Sequence, residues 1–168
     1  MPVRTNLTVL KPRQKPPERG DIFVMQLPNG AYLFGRVVFA NVPQERAPIP
    51  GAHLIYIYDR QSQTPQPLPS QLRPGRLLIA PIWTNALAWT KGYFQTIRNQ
   101  PIGDFDLLRE HCFFMIPLGS AASGKFVDET GKEVGRRSDP CGEWALASYR
   151  WIDDHVSDAL GISRAPEE

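Results

Sequence analysis

The chain has 168 residues, the length of one ordinary domain, and hydrophobic and charged residues make up 42% and 21% of it. Both shares lie near globular averages, which disfavours an intrinsically disordered chain and a membrane-embedded one. The formal net charge is only +2, yet residues 1–103 hold 12 Lys or Arg against 4 Asp or Glu, whereas residues 104–168 hold 7 against 13. The chain therefore has a basic first part and an acidic second part.

Residues 1–19 are predicted to form a flexible basic arm. Pro12, Pro16 and Pro17 prevent a helix there, because proline lacks a backbone N–H. Glu18 is opposed by five basic residues, which are Arg4, Lys11, Arg13, Lys15 and Arg19. We interpret the arm as a solvated segment, with contact to nucleic acid or to an acidic partner as the alternative. The sequence shows no signal-like apolar stretch and no window near the roughly 18 apolar residues of a membrane span, so the default expectation is a cytoplasmic protein.

A β-hairpin is predicted next, with strands at 21–27 and 31–40. Asn29 and Gly30 lie between them, and this dipeptide tolerates the positive φ that a tight hairpin turn needs. Gly35 lies inside the second strand, where a glycine marks a bulge or a close backbone approach. We therefore expect structural roles for Asn29, Gly30 and Gly35.

Short elements are predicted to follow, separated by the 17 prolines of the chain, which argue against a mainly helical fold. β-Branched and aromatic residues favour strands at 53–58, 77–82, 89–97 (with a bulge at Gly92) and 112–116. A single helical turn is expected at 104–110, although a helix in place of the strand at 89–97 remains open. Residues 125–134 are predicted to form a small exposed hairpin around Thr130 and Gly131.

The clearest predicted helix closes the chain. Ser148 is a good N-cap and Gly161 a good C-terminal cap, and the apolar residues between them recur at helical spacing, at Ile152, Val156, Ala159 and Leu160. Asp153, Asp154 and Asp158 lie within about one turn of each other and form a carboxylate patch. Capping of the first turns is the alternative role for Asp153 and Asp154.

The sequence contains no phosphate loop, no dinucleotide fingerprint and no nucleophile elbow. Its three histidines, His53, His111 and His155, are not spaced as metal ligands of one another. We therefore predict no catalytic residue, no metal site and no cofactor. Basic residues alternate with aromatic ones around Arg36, which leaves a nucleic-acid-binding β-barrel module as one alternative function.

Four segments carry a family resemblance, and they are GDIFVMQLPNGAYLFGRVV (20–38), WTKGYF (89–94), DETG (128–131) and SYRWIDDHVSDALGI (148–162). Together they resemble the immunity protein 26 family of bacterial polymorphic toxin systems, a group that also carries the label phosphotriesterase HocA-like. The resemblance implies a small, β-rich, cytosolic protein that binds a cognate toxin and blocks it without catalysis. A phosphotriesterase-like hydrolase is the enzymatic alternative, but a metal-dependent one needs several converging His and carboxylate ligands.

We expect an α+β fold, built on a strongly bent antiparallel sheet or a small, partly open barrel with one C-terminal helix. The expected organisation is an arm (1–19), one domain (20–162) and a tail (163–168). Within the WTKGYF segment, Trp89, Gly92 and Phe94 are expected to be structural. An acidic face would suit a toxin with a basic cleft, so the predicted partner-binding residues are Asp128, Glu129, Glu133, Asp153, Asp154 and Asp158.

Overall fold

A computed structural model describes residues 4–68, 70, 72–117 and 123–167. Within them, the chain forms nine strands and two α-helices: β1 Asp21–Gln26, β2 Tyr32–Val42, β3 Ala52–Ile57, β4 Ile82–Thr84, α1 Leu87–Thr90, β5 Gln95–Asn99, β6 Cys112–Met115, β7 Lys125–Val127, β8 Cys141–Glu143, β9 Leu146–Ala147 and α2 Tyr149–Leu160. Short 3₁₀ turns lie at Gln44–Arg46 and Asp104–Asp106. No helix in the described ranges is long and apolar enough to cross a membrane.

The strands form two sheets. The larger has the order β5-β1-β2-β3-β4-β9, and the smaller has the order β7-β6-β8. Neither closes into a barrel within the described part of the chain. The predicted α+β class with a C-terminal helix is confirmed. The sheets are not wholly antiparallel, because β9 runs parallel to β4 and β8 runs parallel to β6.

The predicted hairpin is confirmed as β1 and β2. Gly30 has φ +85° in its turn, and the Asn29 side chain accepts a hydrogen bond from the N–H of Ala31 at 3.0 Å. Gly35 faces Phe23 across the ladder, and a Cβ at Gly35 would lie 2.2 Å from the Phe23 ring. Of the two interpretations of Gly35, the structure supports the close approach, since the register between β1 and β2 is regular there.

Both faces of the larger sheet are buried. Because side chains alternate along a strand, Phe23 and Met25 pack on one face with α2, and Ile22 and Val24 pack on the other. The first face holds an aromatic cluster in which Phe23 stacks on Phe94 at 4.6 Å and meets the edge of Trp89 at 5.1 Å. The predicted structural residues Trp89 and Phe94 thus lie in the core, and a third apolar cluster joins the two sheets.

The C-terminal helix forms as predicted. Ser148 accepts a hydrogen bond from the N–H of Trp151 at 3.1 Å, and Gly161 ends the helix with φ +71°. Ile152 and Val156 are almost fully buried against the larger sheet. The helix is therefore fixed at both ends by its caps and along one face by the core.

Two predicted strands were wrong in position or type. At 77–82 the ladder begins only at Ile82, and Leu77 makes an isolated bridge to Tyr58. At 89–97 the chain first completes α1, turns at Gly92 with φ +89°, and enters β5 at Gln95. Gly92 is thus a turn residue rather than a bulge, because it lies between α1 and β5 with a positive φ. Lys11 and Pro12 of the N-terminal segment pass within 3.0 Å of where its Cβ would lie.

The N-terminal arm, expected to be flexible, is extended and anchored in its described part. The N–H groups of Thr8, Leu10 and Arg13 donate to the carbonyl oxygens of Gln26, Gly92 and Trp89, at 2.8–3.0 Å. Leu7 is buried in the main core. The described part of the arm is therefore held against the rest of the fold by these contacts.

Candidate partner-binding surfaces

Asp153, one of the predicted partner-binding residues, lies beneath the surface. Its side chain is 1% exposed, and it accepts hydrogen bonds from the N–H groups of Asn6 at 3.0 Å and Leu7 at 2.8 Å. Burial raises the pKa of the Asp153 carboxyl, and the two backbone donors oppose that rise. In this conformation Asp153 anchors the arm to α2 and is not available to a partner.

The other two carboxylates of α2 are paired with arginines. Asp154 lies 3.4 Å from Arg150 and 3.9 Å from Arg164, and it is mostly covered. Asp158 is exposed and accepts two hydrogen bonds from Arg164, at 2.9 and 2.5 Å. These bonds lower the pKa of Asp158. The helix therefore presents ion pairs rather than an uncompensated negative patch.

The second predicted acidic group forms a turn, which we call the acidic turn (residues 128–133). One oxygen of Asp128 accepts hydrogen bonds from the N–H and hydroxyl of Thr130 and from the N–H of Lys132, at 2.6–3.1 Å. Burial opposes these bonds, but together they lower the pKa of Asp128. Gly131 has φ +84° and lies close to the Trp144 ring. The turn therefore has a fixed shape and a charged carboxylate at neutral pH.

A buried hydrogen-bond chain supports Glu129. The Tyr56 hydroxyl accepts from the N–H of Leu108 at 3.2 Å and lies 2.5 Å from Nε2 of His111. Burial raises the pKa of Tyr56 to about 12. The phenol therefore stays protonated at neutral pH and can donate a hydrogen bond to Nε2 of His111. That arrangement is satisfied when His111 carries its own proton on Nδ1, which lies 3.5 Å from Glu129. The interaction with His111 lowers the pKa of Glu129.

The acidic turn borders a polar cleft of about 400 Å³, in which Arg109, Arg136 and Ser138 face Asp128 and Glu129. Glu133 is exposed on the turn and pairs through its backbone with Val127. The acidic turn lines this cleft, whereas the carboxylates of α2 are bonded to the N-terminal arm and to Arg150 and Arg164. The six predicted residues thus form two separate groups.

One surface was not predicted from the sequence, and we call it the apolar groove. It has a volume of about 560 Å³ and lies where the smaller sheet meets β9. Three segments of the chain form its lining, which consists of Pro48, Ile49, Phe114, Met115, Ile116, Pro117, Glu143, Trp144, Ala145 and Leu146. The sequence did contain a signal for this surface. Residues 112–116 are all apolar, although a short strand buries only every second side chain on one face. Its alternation turns Phe114 and Ile116 outward.

The described ranges contain no group of side chains that could bind a metal ion for hydrolysis. No three His, Cys, Asp or Glu side chains lie together there as a metal site would require. Burial raises the pKa of the Cys141 thiol to about 12, so this thiol is protonated at neutral pH and is not activated as a nucleophile.

Comparison with known families decides the family of this fold. A family model described as immunity protein 26 matches residues 18–123, which is more than half of the chain. The chain belongs to the immunity protein 26 family. No curated protein and no solved structure matches it. The immunity protein 26 match covers β1 to β6 and six of the ten residues that line the apolar groove, whereas the acidic turn, the groove segment 143–146 and α2 follow it in the chain.

Proposed function

We propose that this chain binds a cognate toxin domain and neutralises it by occlusion, without a catalytic step of its own. The observation that carries the proposal is membership of the immunity protein 26 family. The architecture suits this role, since both faces of the larger sheet are buried and the arm is anchored. A rigid surface binds a partner with little loss of conformational entropy.

Charge supports the acidic turn as one part of the contact. Asp128 and Glu129 are ionised at neutral pH, because hydrogen bonds lower the pKa of each. Only one oxygen of Asp128 is used within the turn. Opposite charge accelerates encounter and selects partners, so a toxin with a basic nucleic-acid-binding cleft fits this turn best.

We expect this encounter in the cytoplasm. Cys112 and Cys141 are neighbours in the ladder between β6 and β8, and both are free. Free thiols in adjacent strands suit a reducing compartment.

Co-expression tests the proposal. A candidate toxin domain, taken from a gene beside the one for this chain, is produced in bacteria with and without this chain, and survival is counted. We expect survival only when the chain is present, together with co-purification of the two proteins. Equal killing in both cultures contradicts the proposal.

A charge reversal tests the acidic turn within the same assay. Glu133→Lys changes an exposed residue of the turn, and Asp59→Lys changes an exposed carboxylate after the end of β3, outside the acidic turn and the apolar groove, as the matched control. We expect Glu133→Lys to slow association with the toxin and to reduce its dependence on salt. Equal association rates for the two variants contradict a role for the turn.

A further inference from the structure

We propose that the apolar groove is the docking site of the toxin domain, which inserts a large apolar side chain there and places a Lys or Arg against Glu143. This inference rests on the proposed function and names the surface that performs it. It is carried by exposure, by charge and by the extent of the surface.

Exposed apolar side chains are concentrated at this groove. Nine large hydrophobic residues are exposed in the described ranges, and four of them line it: Ile49 (47%), Phe114 (38%), Ile116 (68%) and Leu146 (37%). Trp144 adds a half-buried aromatic ring. A contiguous apolar patch of this kind with an aromatic wall is typical of the core of a protein interface.

The charge at the groove indicates what kind of partner it accepts. Glu143 is the single charged residue of the lining, it is exposed, and no salt bridge reaches it from the described residues. The Trp144 ring also contacts the acidic turn at Gly131, 3.2 Å from where a Cβ would lie. Carboxylates thus stand in the groove and near its rim, and a basic partner residue would compensate them.

A second copy of this chain is a poorer occupant. A symmetric dimer places the same patch on both sides of the interface. It would bring two copies of Glu143 into one apolar contact, and neither would gain a cation from the lining. A toxin domain with an apolar residue beside a Lys or Arg satisfies both features of the groove.

The docking surface extends beyond the groove along the chain. A second depression of about 310 Å³ shares Glu143, Ala145 and Leu146 with it and continues to Trp151 and His155. The rings of Trp151 and His155 stack with centroids 3.5 Å apart, and Nδ1 of His155 lies 2.8 Å from the Trp151 carbonyl oxygen. The two depressions therefore form one elongated surface on either side of the segment 143–146.

Substitution at the rim tests the inference by titration calorimetry with the toxin domain encoded beside this chain. Ile116→Asp places a carboxylate where an apolar contact is expected, and we expect the Kd to rise at least about tenfold. Phe105→Asp is the control, since Phe105 is 95% exposed and outside the groove, and its Kd should not change. Circular dichroism checks that both variants fold, and Ile49→Asp replaces Ile116→Asp if the latter does not.

The charged half of the inference has its own variant. We expect Glu143→Lys to raise the Kd at least about tenfold as well, because it repels the partner's cation. Wild-type affinity in both Ile116→Asp and Glu143→Lys overturns the docking site while leaving the proposed function intact. Failure of the wild-type chain to bind overturns both. A free chain that sediments as a dimer, and becomes monomeric with Ile116→Asp, assigns the groove to a second copy and overturns the inference.

Discussion

Gly35 and Phe23 face each other across the central hairpin, and their contact determines how the aromatic cluster packs. The Phe23 ring occupies the space above Gly35, where a Cβ would lie 2.2 Å from it. From that position the ring stacks on Phe94 and meets Trp89. A methyl group at Gly35 would displace the ring on which the other two pack.

Gly35→Ala is therefore expected to lower the free energy of unfolding by about 1–3 kcal/mol, the usual cost of overpacking a filled core. Gly75→Ala is the matched control, because a Cβ there meets nothing within 4 Å, and its effect should stay within about 0.5 kcal/mol. Urea denaturation of both variants measures the difference. Equal stability of the two variants contradicts the packing argument.

Glu129 links the acidic turn to the buried hydrogen-bond chain, and its titration is testable. The folded state lowers its pKa below the ordinary value of 4.5, chiefly through His111. A lowered carboxyl pKa stabilises the fold above the unfolded value, and that stability is lost as the pH falls through the folded pKa. Wild type should therefore be more stable than Glu129→Gln at pH 7, and the difference should shrink below about pH 4.5.

Thermal unfolding of the two proteins from pH 7 to pH 3 checks this expectation. Glu133→Gln serves as the control, because it removes an exposed carboxylate of the same turn and should change stability by no more than about 0.5 kcal/mol. A gap between wild type and Glu129→Gln that stays constant with pH argues against the interaction of Glu129 with His111.

At the scale of elements, the N-terminal arm behaves as a structural segment. Leu7 is 4% exposed, whereas Val9, two residues later, is 52% exposed. The Leu7 N–H also donates to the buried carboxylate of Asp153. The arm therefore contributes apolar burial and supplies backbone hydrogen bonds to the buried Asp153 side chain of α2.

Leu7→Ala should accordingly lower the free energy of unfolding by about 2–5 kcal/mol, the cost of a cavity in a core. Val9→Ala removes a similar aliphatic side chain at an exposed position and should change stability by no more than about 0.5 kcal/mol. Chemical denaturation of the pair decides between an anchored and a flexible arm, since a flexible arm makes both changes neutral.

Elements with local signals were predictable from the sequence, and those that depend on distant partners were not. The hairpin turn at Asn29 and Gly30 and the caps Ser148 and Gly161 act within a few residues, and all of them form. Strands β8 and β9 are two or three residues long and form by parallel pairing with strands far away in sequence. No local pattern of that length distinguishes a strand from a loop.

The N-terminal arm also shows that local sequence patterns do not reveal contacts between distant parts of the chain. Its prolines correctly excluded a helix in the described part, but its anchoring depends on Asp153, which lies 146 residues from Leu7. The sequence pattern placed Asp153 in a surface patch, because adjacent carboxylates at the start of a helix usually face solvent. The hydrogen bonds to the arm reverse that placement.

The opposite charges of the two parts of the chain are partly paired within the fold. Arg36, which is buried, lies 3.1 Å from Asp106 and joins the basic part to the acidic part. Asp154 and Asp158 are matched by Arg150 and Arg164 within the acidic part itself. Residues 104–168 carry a net charge of −6, from 7 Lys or Arg against 13 Asp or Glu. Because of this pairing, that charge does not form one acidic face.

This pairing explains why the candidate site was only partly predictable. The residues of the acidic turn are close in sequence, so their carboxylates could be grouped from their spacing alone. The apolar groove draws on Pro48 and Ile49, on 114–117 and on 143–146, which only the folded chain brings together. A search of the sequence for charged patches also overlooks a surface whose main feature is exposed apolar area.

A titration of the toxin with this chain distinguishes neutralisation by occlusion from neutralisation by a catalytic step. Increasing amounts of this chain are added to a fixed amount of the toxin domain, and the residual toxin activity is measured. The toxin is then released from the complex in denaturant and refolded. Its activity is assayed again, and its mass is measured by mass spectrometry. We expect inhibition to be complete at an equimolar ratio, with the released toxin fully active and of unchanged mass. Inhibition by a small fraction of an equivalent with an altered toxin mass, or no inhibition at all, contradicts neutralisation by occlusion.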